Sequence, residues 1–389
     1  MIPEAGIDWD ACIGLMLQAM QSLQQGLLHL LAALGAARDI DGQPAWPFAL
    51  RLSGEVMLID RSVARALLGA LGYSAAALLL VALSFAWKRA RIPLLLAGGA
   101  LLLFTPWPDT ALLTAPAVPT SFHTSPTGFS ATAIVHGEQL YTRQCIACHG
   151  TDGRGNTPLA LSLPVAPPNL SSGLLWRRSD GDIFWSLQYG KGGKAGMPAF
   201  ATRISVADSW ALIDYMKANA AGVGITDTGA WPRPVALPDI ALACRSPGAT
   251  HLSQWHGQRI RLVVAQPGKA PPPEDPRLQS VLLNGAAAPD TVGAIDCANS
   301  QRDALHAIAI ITGTPEEKLP GTQLLADRDG WLRARNASGD WSPDDMLCRS
   351  TAVGEGAGNT AGGMDQLIAA MDADPVRFAK GGFFTHRER

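Results

Sequence analysis

The sequence predicts a multi-domain chain in three parts: transmembrane helices, then a small all-α domain, then a C-terminal α/β domain. Three observations carry this. An almost unbroken apolar run of 22 residues covers 66–87, long enough to cross a hydrocarbon core of about 30 Å. Ile134, Gly137, Tyr141, Cys145 and Cys148 recur at helical intervals. Finally, 259–265 reads as a strand, and Asp329-Gly330 as the turn of a later hairpin.

Residues 1–108 form the predicted membrane region, with spans at 66–87 and 92–107. Lys88, Arg89 and Arg91 make a basic turn between them, which the positive-inside rule places in the cytoplasm, with Trp87 and Trp107 as interfacial anchors. The second run is short and carries Gly98 and Gly99, so its crossing needs membrane thinning or continuation toward Leu113. Residues 12–35 are apolar but streaked by Gln18, Gln21, Gln24, Gln25 and His29. They read as a third span, with an interfacial helix as the alternative. Met1-Ile-Pro-Glu4 lacks a basic segment of the signal-peptide kind, so the spans themselves direct export. Everything after Pro108 then lies beyond the membrane. Residues 109–130, rich in Pro, Ser and Thr, read as a semi-extended tether, and 222–237 as a second linker between domains at 131–221 and 238–389.

Cys145-Ile-Ala-Cys148-His149 is the most specific feature of the chain. CxxCH is the spacing that attaches one covalent haem c: two thiols add to the porphyrin vinyl groups, and the next residue offers an imidazole to the iron. A zinc site would need two further ligands nearby, and the flanks offer none. A redox pair should follow a strand, whereas this motif ends a helix. His149 is therefore one predicted axial ligand. The other is Met197, 48 positions on, because Gly196 and Pro198 hold it on a rigid loop outside any regular helix. Met216 competes but repeats with Val206, Trp210 and Ile213 as the core face of a helix; His136, inside the first helix, is the weaker rival.

With Gly137, Tyr141, CIACHG, Gly153, Gly155 and Pro167-Pro168-Asn169-Leu170 in place, residues 132–220 resemble class I cytochrome c. The resemblance implies that the carbonyl of Pro167 or Pro168 accepts the Nδ1–H of His149, which fixes its tautomer and raises its basicity. It also implies a periplasmic location in a bacterium, since the family acquires haem outside the inner membrane. Ser205 and Asp208 read as a capping box for the last helix, whose Trp210 face should pack on the first. With imidazole and thioether on the iron no position is open to substrate, so single-electron transfer rather than catalysis is expected. Ile146, Ala147, Met197 and Phe200 would ring the exposed haem edge as the contact surface.

Residues 46–53 and the spans after them resemble the C-terminal half of membrane proteins that join a copper-resistance D type region to cytochrome c. His29 is the one histidine in that part, too few for a metal route in series. Downstream, Pro238-Asp239-Ile240, 252–257, Pro320 and Asp329-Gly330 resemble thioredoxin-like proteins of the peroxiredoxin and thiol-reductase type. The resemblance implies a cis bond at Pro320. Where such a protein carries its thiols, this chain reads Gln266 to Pro273, so the α/β thioredoxin-like domain lacks the active-site cysteines. An oxidising compartment favours a structural disulfide among Cys244, Cys297 and Cys348, with Cys297–Cys348 preferred. His251, His256 and His306 are scattered, and read as solvated rather than as a copper site.

A formal net charge of −2 gives no sign of a nucleic-acid partner, and no P-loop, Rossmann fingerprint or hydrolase elbow is present. The expected function is a membrane-anchored periplasmic cytochrome passing electrons from a quinol or dehydrogenase to a cytochrome or terminal oxidase. Its partners are the lipid bilayer and redox proteins in the periplasm or inner membrane. A copper-homeostasis redox protein and a structural haem subunit of a larger respiratory complex are the alternatives.

Overall fold

Asp60 starts the long apolar helix by accepting the Ser62 amide on its side chain, a cap that satisfies one of the unpaired donors of the first turn. The computed structural model describes residues 9–193, 196–246, 248–284, 295–337, 340–348, 363–376, 379–380 and 383–384. The reading made of Met1 to Glu4 lies outside them. The chain divides into two compact units, one mainly Met1–Asp39 and Pro44–Pro119, the other mainly Thr120–Phe378.

In the first unit, α1 (Trp9–Ala33), β1 (Leu50–Leu52), α2 (Arg61–Ala86), α3 (Arg91–Leu103) and β2 (Thr114–Pro116) follow in order. Ile13 and Leu17 of α1 pack on Met57, Val63, Ala64 and Leu67. Gly98 lets α3 approach α2 closely, since a Cβ there would stand 3.0 Å from the Ala77 carbonyl. Among the described residues, Arg61–Ala86 is the helix long and apolar enough to cross a membrane, with a mean hydropathy of 2.1. The second predicted span forms a helix of 13 residues, about 20 Å at 1.5 Å per residue. The glutamines of α1 keep it out of that class, and one is structural: Gln24 hydrogen-bonds the backbone of Leu52 in both directions.

Residues 109–130 are not a loose tether. Asp109 caps a short turn at Thr110–Leu113, and β2 pairs antiparallel with β1. In the second unit the Thr120 hydroxyl donates to the Gly181 carbonyl at 2.6 Å, and Thr127 hydrogen-bonds the buried Asp214. Serine and threonine, expected to solvate the segment, instead tie it down.

The second unit continues with α4 (Ala131–Gln144), α5 (Ile146–His149), α6 (Pro158–Ser162), α7 (Asp180–Tyr189) and α8 (Val206–Thr228). Ser130, Thr157 and Ser179 cap α4, α6 and α7, and Ser205 with Asp208 forms the capping box of α8. The helical crossing differs from expectation. Gly137 of α4 lies against Ala211 and Tyr215 of α8, where a Cβ would fall 2.1 Å from the Ala211 carbonyl. Trp210 points elsewhere and stacks on Phe184 of α7, with centroids 4.6 Å apart.

Helix α8 runs through the predicted second linker to Thr228 and ends at Gly229, whose φ of 76° is the left-handed cap that glycine adopts readily. After it come β3 (Val235–Ala236), β4 (Leu242–Cys244), β5 (Ile260–Val264), β6 (Gln279–Leu283), β7 (Cys297–Asn299), α9 (Asp303–Thr312), β8 (Gln323–Ala326), β9 (Trp331–Asn336) and α10 (Met364–Ala373). The strands form one mixed sheet in the order β3-β9-β8-β5-β6-β7-β4. β5, β6 and β7 are parallel to one another, and β8–β9 is the hairpin turned by Asp329-Gly330.

Two expectations fail here. Pro320 is trans, because the described residues contain no cis bond. It stands second in a tight turn closed by the Thr322 amide on the Leu319 carbonyl, with Gly321 at φ 86° third, the pattern of a type II turn. The disulfide joins Cys244 to Cys297, which stand directly opposite in the β4–β7 ladder. Cys348 is bonded through its backbone to Arg333 on β9, and β8, β5 and β6 separate that strand from Cys297.

The sheet and the helices share one core. Phe129, Ile134, Ala218, Ala221, Ile225 and Trp231 belong to the same buried cluster as Ile260, Leu262, Ile308 and Leu324. The domain boundary expected near 221–238 is therefore absent as a physical gap.

Candidate haem site

The Cys145 amide closes the last turn of α4 on Tyr141, and α5 then makes a single further turn, with the His149 amide on the Cys145 carbonyl at 2.9 Å. That turn places two cysteines and a histidine in one short stretch of helix. The thiols of Cys145 and Cys148 are free, not joined to one another. Burial, then the neighbouring Cys148, pushes the Cys145 thiol up to about 11, so it is protonated at neutral pH.

The chain next folds back under His149. Gly150 takes φ 74°, its carbonyl accepts the Tyr141 hydroxyl at 2.8 Å, and the Gly155 amide returns to the His149 carbonyl. Thr157 both caps α6 and donates to the Ala147 carbonyl at 2.7 Å. A Cβ on Gly155 would fall 2.8 Å from the Pro167 carbonyl, so glycine is what admits the Pro167-Pro168 loop. That loop is anchored by the Leu170 amide on Gly153.

His149 Nδ1 is buried and lacks a hydrogen bond of ordinary geometry. The Pro168 backbone is the neighbouring group that acts on the charge of the imidazole. Burial lowers the imidazole pKa and the Pro168 carbonyl only partly opposes this, so the ring is held neutral, as a metal ligand must be.

Met197 sits where predicted, on a loop after α7. The Lys191 amide donates to its carbonyl at 3.0 Å. A Cβ on Gly196 would fall 2.0 Å from the Lys191 carbonyl, so the hairpin closes only with glycine there. Half-buried Met197 packs on the same cluster as Cys145, Ile146 and Leu170, a cluster built on Tyr141, Phe200, Trp210 and Tyr215. Of its rivals, Met216 is a buried member of that same cluster, on α8, and His136 is turned away, with Nε2 2.6 Å from Asp208. Phe200, expected at an exposed edge, is only 6% exposed and belongs to the core.

Residues 132–216 match the family model described as cytochrome C oxidase, cbb3-type, subunit III. The segment is a cytochrome c domain. Among solved structures, the reducing HAO-like protein complex of Kuenenia stuttgartiensis is 20% identical with a TM-score of 0.22. That match covers 31% of this chain and 58% of the other, so it spans little more than half the neighbour's length. No curated protein matches.

A cytochrome c domain implies covalently bound haem c. The residues present fit that group: two free thiols at the attachment spacing, and beside them an imidazole held neutral by burial, with its Nδ1 buried. The supports that sequence reading passed over are Thr157 and the Tyr141 hydroxyl. Thr157 had a signal, since Thr before Pro is a helix start. The Tyr141 bond had none.

The histidines read as scattered are partly paired. His251 lies 3.1 Å from Asp239, and His306 contacts Glu138 and Glu316. His29 and His256 are exposed. Among the described residues no group of three or more His, Cys, Asp or Glu could hold a metal ion.

Proposed function

We propose that this protein is a membrane-anchored, periplasmic monohaem cytochrome that carries single electrons from a quinol or dehydrogenase to a cytochrome or terminal oxidase. The observation that carries the reading is the α5 turn, with free Cys145 and Cys148 and a neutral, half-buried His149 in one stretch of helix. Cys145 and Cys148 would hold the haem covalently, and His149 and Met197 would cap its iron. Bound there, haem supplies reversible one-electron chemistry, and a thioether ligand raises its potential. The protein's own part is to orient the imidazole through Pro168 and to seat Met197 on a glycine-closed hairpin.

The membrane anchor rests on α2, whose outward face carries Leu78, Leu79, Leu83 and Phe85 exposed. A soluble surface rarely leaves so large an apolar patch open. Lys88, Arg89 and Arg91 after it would face the cytoplasm. The strand 260–264 and the β8–β9 hairpin support a thioredoxin-like reading of the sheet, against the trans bond at Pro320 and without thiols at 266–273. A second reading, a haem subunit of a larger respiratory complex, is favoured by the family description, which names an oxidase subunit. Co-purification at native abundance separates it from a free carrier.

The test is a redox titration with optical spectra on detergent-solubilised protein. Wild type should show a weak long-wavelength band from sulfur ligation, and Met197→Ala should lose it together with a fall in potential. An unchanged spectrum in Met197→Ala would reassign the sixth ligand to Met216 or His136.

A further inference from the structure

The groove between α8 and α9 is lined by charged groups that the haem site does not use. His306 on α9 faces it, with Nε2 on Glu138 of α4 and Nδ1 on Glu316 of the turn at Glu316–Lys318, each at 2.5 Å. Carboxylates only accept, so holding both requires both ring nitrogens to donate, which only the imidazolium does. The other titratable groups of the groove are Tyr215 and Asp227 on α8, Asp152 and Arg154 on the loop after α5, and Glu317 beside Glu316. Arg154 is spent on Asp152 and Asp227, at 3.3 and 2.5 Å. Among the described residues, His306 is the cation ion-paired with both Glu138 and Glu316.

We propose that protonated His306 is a pH-sensitive clamp fastening α4, the helix that ends at Cys145, to the C-terminal sheet lobe. One imidazolium joins carboxylates from two parts of the chain 178 positions apart, Glu138 and Glu316. Burial opposes the charge, but the hydrogen bonds and fields of Glu138 and Glu316 outweigh it, and the pKa of His306 is raised above 6.5. Stability from the clamp is therefore complete below the unfolded value near 6.5 and is lost as pH rises through the higher folded value. All three side chains are about a third or more exposed, so the effect is modest and weakens with salt. The clamp depends on α4 and α9, not on which residue is the sixth haem ligand.

Thermal unfolding of the full-length, haem-loaded protein in detergent, at low salt from pH 6 to pH 9, tests it. Wild type should exceed His306→Gln by about 2–4 °C at pH 6, the shift expected of roughly 1 kcal/mol in a unit of this size. At pH 9 the two should converge. Glu138→Gln, a change on a half-buried side chain, should show the same convergence with wild type. A wild-type advantage that is equal at pH 6 and pH 9, or absent at both, overturns the clamp.

Discussion

Arg333 shows how much a single buried charge organises. Its guanidinium is wholly buried on β9, 3.0 Å from Asp327, and it donates to the carbonyls of Cys348 at 3.0 Å and Asp374 at 2.7 Å. Three chain segments meet on it. Burial raises the Asp327 pKa even though the Trp331 amide and Arg333 pull it down, so desolvation dominates that carboxyl. Removing one partner of such a group leaves an uncompensated charge, which costs far more than the pair contributes. Arg333→Met should therefore lower stability by about 3–5 kcal/mol, measured as a fall in the denaturation midpoint. Part of the loss should be recovered in mild acid, where Asp327 protonates. The haem site follows a different logic: the neutral state of His149 is set by burial, which the Pro168 carbonyl opposes only in part.

Between elements, glycines decide which helices touch. Gly222 in α8 costs about 1 kcal/mol against alanine as a helix former. It is retained where α9 passes, because a Cβ would fall 2.0 Å from the Ile310 carbonyl. Gly313 faces it, with φ 58°, and a Cβ there would fall 2.4 Å from the Gly222 carbonyl. Gly222→Ala must force the helices apart and should cost about 1–3 kcal/mol, seen as a lower unfolding midpoint. Gly69→Ala, inside helix α2 with open space around it, should not lower stability and should raise it by up to about 1 kcal/mol. The start of α8 and the attachment turn were legible in the sequence because their causes are local: Ser205 and Asp208 cap the residues just after Ser205, and CxxCH is a five-residue geometry. The Met197 loop was legible for the same reason, through Gly196 and Pro198. The Cys244–Cys297 pair was not, since it depends on which strands become neighbours across 53 positions. Nor were the ordered 109–130 segment and the full reach of α8, where distant partners convert polar residues and glycines into contacts.

At the scale of the whole molecule, the second unit is one folded body with two chemistries of sequence, haem attachment and mixed sheet, around a shared core. Ile134 and Ala218 of the helices and Ile308 and Leu324 of the sheet lobe lose water together, so neither part has a complete core alone. The sheet lobe thereby has a structural role independent of any thiol chemistry, and His306 adds a charge contact to the apolar one. In the first unit, α2 supplies the apolar length that an anchor needs. The central claim is that Cys145 and Cys148 hold one haem covalently. Intact-mass measurement of the denatured full-length protein tests it most directly. The account predicts the polypeptide plus one haem, and the bare polypeptide for the Cys145→Ala, Cys148→Ala double variant. A wild-type chain that appears at its bare polypeptide mass, after expression with the haem-attachment machinery, would contradict it.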